Sequence, residues 1–205
     1  MTAPYDPALT AMNVMLERAE DIAVRYLKIV NVCPQTLFFW GVEGHFVMDW
    51  SPFEDQRNRW LYERGKVACT AAGAYASVHM IQAMVATPEN AKTMGSDLET
   101  SRSPRQEEAV LILGETREGR IEKGFPVRRD EQANFIGLGD AFPYADFCIK
   151  DTDRFLTPEP PTALKRIHAK NELRGLGINL DEFRDPGLRV TQTFRYKGRV
   201  MTRRL

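Results

Sequence analysis

The chain has 205 residues, 43% of them hydrophobic, and its 28 Lys/Arg are balanced by 28 Asp/Glu. That is enough apolar material for one well-filled core, and no apolar run reaches the roughly 18 residues that span a bilayer. The opening residues Met1, Thr2, Ala3, Pro4, Tyr5 and Asp6 lack the basic-then-apolar order of a signal peptide, so a soluble cytoplasmic protein without a membrane partner is expected. Cys33, Cys69 and Cys148 are odd in number, far apart and without a C-x-x-C, which argues for reduced, buried thiols and against a disulfide framework or a cysteine-rich zinc site.

The overall neutrality hides a split. Residues 151–205 carry 12 Lys/Arg against 7 Asp/Glu, a local charge of +5, while residues 1–150 carry 16 against 21, or −5. Two parts of opposite sign either attract each other or select different partners.

In chain order, Asp6 and Pro7 form an N-cap followed by proline at the first helical position. Leu9, Met12, Leu16, Ala19, Ile22, Ala23, Tyr26, Leu27 and Val30 then recur at steps of three and four, the pattern of a helix that covers a sheet with one side. Residues 36–50 read as a β-hairpin turning at Gly41, Val42, Glu43 and Gly44. A second helix is expected from Glu54 or Asp55 to Ala71 or Ala72, with Gly73 as its left-handed stop. For residues 74–86 a strand is preferred, because a helix continued through both Gly65 and Gly73 loses about 1 kcal/mol at each relative to alanine. Residues 87–106 are polar and read as a long loop. Residues 108–115 are nearly all apolar, as in a strand buried on both sides, and residues 120–127 form its return.

The segments PQTLFFWGVEGHFVMDW and EEAVLILGETREGRIEKGFPVRRD, in this order of elements, resemble a broad class of small α+β proteins of bacterial genomes, phages and mobile elements. The resemblance covers residues 8–130 and rests on apolar strands, so it implies a fold and not an activity. The expected fold is α+β: a mixed or antiparallel sheet of about five strands with two helices packed on one face, plus a C-terminal extension holding a short helix and a basic hairpin. This divides the chain into a core domain at 1–133, an irregular connector at 134–160 and a basic extension at 161–205.

In the extension, residues 162–174 predict a helix closed by Gly175, bearing Lys165, Arg166, Lys170 and Arg174 around a thin stripe of Leu164, Ile167 and Leu173. Residues 188–204 alternate as two strands about a turn at Lys197 and Gly198. The candidate binding residues are therefore Lys165, Arg166 and Lys170 on the helix and Arg189, Phe194, Arg195, Tyr196, Lys197, Arg199, Arg203 and Arg204 on the hairpin. Such a surface can dock an acidic protein or neutralise phosphates while its rings stack on bases. The plainer alternative packs the rings on the main domain and leaves the arginines solvated or paired with its carboxylates.

Catalytic patterns are scarce. His45 and Asp49 share one face of a strand, and with His79 on a neighbouring strand they form the one metal or general-base set worth testing. Gly137, Leu138, Gly139 and Asp140 hold two glycines but no dinucleotide fingerprint. Cys69 sits among Ala68, Thr70 and Ala71, a setting that raises a thiol's pKa. Trp40, Trp50 and Trp60 suit a core or a subunit contact. The leading expectation is a non-enzymatic interaction or accessory protein, of phage or mobile-element type, that needs no cofactor and engages a larger protein or nucleoprotein assembly through the basic extension. A nucleic-acid-binding accessory factor and a metal-dependent hydrolase using His45, Asp49 and His79 are the alternatives, and sheet edges offer a route to homo-oligomers.

Overall fold

The computed structural model of the chain describes residues 6–50, 58–86, 106–143, 154–184, 191–196 and 199–204. Helix α1 (Pro7–Val30) starts as its cap residue dictates: Asp6 accepts hydrogen bonds from the backbone N–H of Ala8 at 2.8 Å and Leu9 at 3.2 Å, and Pro7 needs no acceptor. It stops at Asn31, whose left-handed φ of 60° turns the chain while its N–H still reaches the Leu27 carbonyl. The apolar stripe read in the sequence is buried from Met12 to Leu27, with Met15 added to it, while its two ends, Leu9 and Val30, are exposed. The opposite side is mostly polar, with Val14 and Ile29 also exposed.

Strands β1 (Gln35–Gly41) and β2 (Gly44–Trp50) form the expected hairpin, with Gly44 at φ 121° in its turn. Helix α2 (Asn58–Ala72) ends at Gly73, φ 63°, a conformation that glycine adopts without penalty. Residues Ala74–Ala86 are strand β3, followed by β4 (Gln106–Thr116), β5 (Arg120–Arg129), β6 (Phe135–Leu138) and the short β7 (Phe142–Pro143). All pair antiparallel in the order β2-β1-β3-β4-β5-β6, with β7 also on β5. The sheet is thus larger than expected, because the segment expected to be an irregular connector contributes β6 and β7. The polar loop expected at 87–106 lies almost wholly outside the described residues, as do Cys148 and the side chains of Trp50 and Trp60. Among the described residues no helix is long and apolar enough to cross a membrane.

The helices do not share one face, and here the expectation is overturned. On β1, Phe38 points into the core under α1 with Ala76, Val78 and Met80 of β3 and Val110 and Ile112 of β4. Its neighbours Leu37 and Phe39 point the other way and pack with Phe46 and Met48 of β2 against Ala68, Cys69, Ala71 and Ala72 of α2. Side chains alternate along a strand, so a run of apolar residues buried on both sides needs a cover on both sides. α1 supplies one cover and α2 the other.

α2 alone does not complete the second cover. Phe155, Leu156, Leu180 and, from helix α3 (Ala163–Gly175), Ala169 and Leu173 belong to the same buried cluster, and α3 packs on α2. Glu115 of β4 fastens this return: its buried carboxylate accepts the backbone N–H groups of Phe155 at 3.1 Å and Leu156 at 3.2 Å, with Arg154 3.9 Å away. Burial raises the Glu115 pKa, and those two backbone hydrogen bonds pull it back.

Gly65, which weighed against a long helix in the sequence, lies inside α2 because the Phe155 ring sits on it; a Cβ there would come within 2.6 Å of the ring and 3.0 Å of Leu37. Alanine normally improves a helix by about 1 kcal/mol over glycine. At this position Gly65→Ala should instead lower stability by about 1–3 kcal/mol through overpacking, measured by urea unfolding; a gain in stability would mean that Phe155 does not press on α2.

Candidate partner-binding surface

The expected metal or catalytic set does not come together. His45 and Asp49 lie on the α1 face of β2, where α1 provides each with a partner: Arg18 Nη1 is 3.3 Å from His45 Nδ1, and the Tyr26 hydroxyl donates to Asp49 Oδ2 at 3.0 Å. Eight helical residues rise about 12 Å and four strand residues about 13 Å, so the two contacts keep step along α1 and β2. His45 also stacks on Trp40, with ring centroids 5.2 Å apart. His79 pairs in register with Leu37 and therefore faces α2, where its ring meets the edge of Phe155 at 5.2 Å and Gln35 Nε2 lies 2.9 Å from its Nε2. The sheet itself separates His79 from the other two.

Each buried polar group nearby is tuned toward neutrality. His79 is 1% exposed, and burial lowers its pKa to about 4, so it is an uncharged imidazole that accepts from the Gln35 amide. Asp49 as a residue retains some exposure, but its carboxylate is enclosed. Burial pushes its pKa up to about 6 despite the nearby Thr36 and Tyr26 hydroxyls, which oppose the shift. The Thr36 hydroxyl donates to the Pro34 carbonyl at 3.3 Å, which leaves Asp49 Oδ1 without a hydrogen bond among the described residues. Burial, aided by the Asp49 charge, pushes the Cys33 thiol up to about 12, and burial raises Cys69 well above the usual thiol range. These thiols are packing groups, as the apolar surroundings of Cys69 imply.

The outward chemistry lies on α3. Thr162 caps it by accepting the Lys165 N–H at 3.3 Å. Its end is a Schellman motif in which Gly177, φ 71°, donates to the Arg174 carbonyl at 2.9 Å and Ile178 to that of Leu173 at 2.9 Å. The left-handed residue is thus Gly177, two positions beyond the expected Gly175. Only Ala169 and Leu173 of the helix are fully buried, so Leu164 and Ile167 stand out at 63% and 54% exposed. Arg174 lies on the same side as Ile167, and Lys165 is exposed on the opposite flank.

The cations of this region divide into two sets. Lys170 is 2.5 Å from Glu43 in the β1–β2 turn, and Arg166 lies along the chain reversal at Gly73. Arg184 donates to the Glu43 carbonyl, pairs with Asp181 at 2.8 Å and sits over the Phe46 ring at 5.4 Å. It also forms an isolated antiparallel bridge with Phe46 on the β2 edge. Lys165 and Arg174 make no ion pair or hydrogen bond through their side chains among the described residues. Between the end of α3, the 3-10 turn at Leu180–Phe183 and Glu43 lies a polar cleft of about 130 Å³, lined by Lys170, Arg174, Asn179, Asp181 and Arg184 among others. Sequence reasoning singled out neither Arg184 nor Glu43, and the only hint was opposite charge at distant positions.

Strands β8 (Thr191–Tyr196) and β9 (Arg199–Arg204) pair antiparallel, from Thr191 with Arg204 to Tyr196 with Arg199. Phe194, Arg195, Tyr196, Arg199, Arg203 and Arg204 are placed by their backbone alone, and Arg189 and Lys197 lie outside the described residues. Gly137, expected in a loop, lies in β6, and Gly139 rests on Pro126, so neither shapes a phosphate cradle. No family model, curated protein or solved structure matches the chain.

The Asp49 shift sets a pH dependence. A carboxyl whose folded pKa of about 6 exceeds its ordinary 3.8 makes the folded state the tighter proton binder, so its contribution to stability falls as pH rises from about 4 to 6. The stability of Asp49→Asn minus that of the native protein should therefore grow by about 1–3 kcal/mol between pH 4 and pH 7 in urea titrations. A difference that stays flat across this range would mean that Asp49 titrates as an exposed carboxyl does.

Proposed function

We propose that this chain is a non-enzymatic interaction protein that engages an acidic surface of a larger assembly through its basic C-terminal region. The observation that carries this reading is the arrangement of α3: Ala169 and Leu173 hold the helix in the core, the side left open combines Leu164 and Ile167 with Arg174, and Lys165 stands exposed on the other flank, without an ion pair among the described residues. Apolar side chains set among cations are the composition of a docking surface, in which the apolar residues anchor and the charges steer. The buried histidine, carboxylates and thiols give no rival reading, since each is engaged within the fold or held neutral. Of the basic residues expected to bind a partner, Lys170 is spent on Glu43 and Arg166 on packing, which leaves Lys165 on α3 together with the residues of β8 and β9.

A truncation near residue 150 cannot test this, because it would remove Phe155, Leu156, Ala169 and Leu173 from the second core. Charge reversal in the full chain can. Tagged native protein and the variant Lys165→Glu/Arg195→Glu/Arg199→Glu/Arg203→Glu are to be compared for what co-purifies from the source cells, with and without nuclease. The reading expects a defined partner that survives nuclease and falls at least tenfold in recovery with the variant. Equal recovery would remove the basic region from the function, and loss on nuclease treatment with binding that collapses steeply in salt would transfer it to nucleic acid.

A further inference from the structure

The α3 surface also specifies the chemistry of its partner, an inference that rests on the docking reading. On the exposed side of α3, Leu164 and Ile167 are three residues apart and make one apolar step. Arg174 lies seven residues beyond Ile167, two helical turns or about 10 Å along the same side. Arg174 also lines the cleft, where the other charges compensate each other: Glu43 is met by Lys170 at 2.5 Å and by Arg184 at 3.9 Å, and Asp181 by Arg184 at 2.8 Å. Three cations face two carboxylates there, so the cleft keeps one positive charge; Arg174 acts on Asp181 through its charge alone, without an ion pair or side-chain hydrogen bond among the described residues. Its guanidinium offers a planar fork that suits a carboxylate in two parallel hydrogen bonds.

We infer that α3 and the cleft at its end bind one acidic segment of a protein partner, which places an apolar side chain on Leu164 and Ile167 and, about 10 Å away, an Asp or Glu carboxylate at Arg174. The cleft, about 130 Å³ in volume, has room for a side-chain head group. A helical segment meets the spacing with the two residues seven apart, and an extended one with three apart. The surplus positive charge of the cleft favours an acid there, so a basic segment is refused at the same position.

Selection of a displayed library of random 16-residue peptides on the full-length protein tests this directly. Enriched sequences should carry an apolar residue and an Asp or Glu at one of the two spacings. A synthetic peptide from that set should bind at least tenfold more weakly, by fluorescence anisotropy, to Ile167→Asp and to Arg174→Glu, and equally well to Lys28→Glu on the exposed side of α1. The same peptide with its acid changed to Lys should regain affinity for Arg174→Glu. Enrichment of neutral or basic sequences, no enrichment, or affinity indifferent to both α3 substitutions overturns the inference. If the native partner is lost on Arg195→Glu/Arg199→Glu/Arg203→Glu but kept by Arg174→Glu, the docking reading stands and this inference falls.

Discussion

Burial of β1 on both of its faces is the constraint that shapes the rest of the molecule. Leu37, Phe38 and Phe39 are each fully buried, yet alternation sends Phe38 one way and its neighbours the other. Each such side chain stabilises the fold by about 1.5–3 kcal/mol only if something covers it. One long amphipathic helix meets that need on one side. On the other side the small residues of α2 let the end of its backbone approach β1 so closely that a Cβ at Gly41 would collide with the Ala72 carbonyl oxygen. That close approach leaves the margin of the sheet open, and residues from 155 onward close it. The region that composition marks as a separate basic appendage is for this reason an integral part of the second core.

A polar clamp holds the opposite end of the sheet in register. Arg129 of β5 grips Glu108 of β4 with two hydrogen bonds of 2.5 and 2.7 Å and reaches the Asn31 and Ala133 carbonyls at 3.2 and 3.1 Å. Glu108 also accepts from Gln82 of β3, whose other amide atom receives the Cys33 N–H at 2.5 Å. The Arg129 hydrogen bonds hold the Glu108 carboxyl below the usual carboxylate range. One charge-assisted cluster thus joins the turn after α1 to three strands, where apolar packing alone would leave the register free to slip.

Signals carried by neighbouring residues were legible in the sequence, and those that needed a register were not. Asp6 with Pro7, the glycines about Val42 and Glu43, Gly73 at the end of α2 and the apolar run in β4 each specify local geometry by chemistry that acts within a few residues. The placement of α2 opposite α1 was also written there, since TLFFW in β1 has the two-sided apolar character that was credited only to residues 108–115. Gly65 and Gly73 argued correctly for a strand at 74–86, but the reason for a glycine inside α2, the Phe155 ring ninety positions away, was not legible. His79 seemed to belong with His45 and Asp49 until the pairing of Leu37 with His79 fixed its face. The α3 surface was half visible: the four cations were, but which of them meet Glu43 depends on how the chain returns.

That return carries a consequence for biogenesis. Leu37, Phe39, Phe46 and Met48 emerge early in synthesis, while Phe155, Leu173 and Leu180, which share their cluster, emerge more than a hundred residues later. Until residue 180 has left the ribosome, one side of the first hairpin has only α2 to shelter it. The nascent chain passes through an interval of sticky, incompletely shielded aromatic surface, the condition under which chaperones engage growing polypeptides.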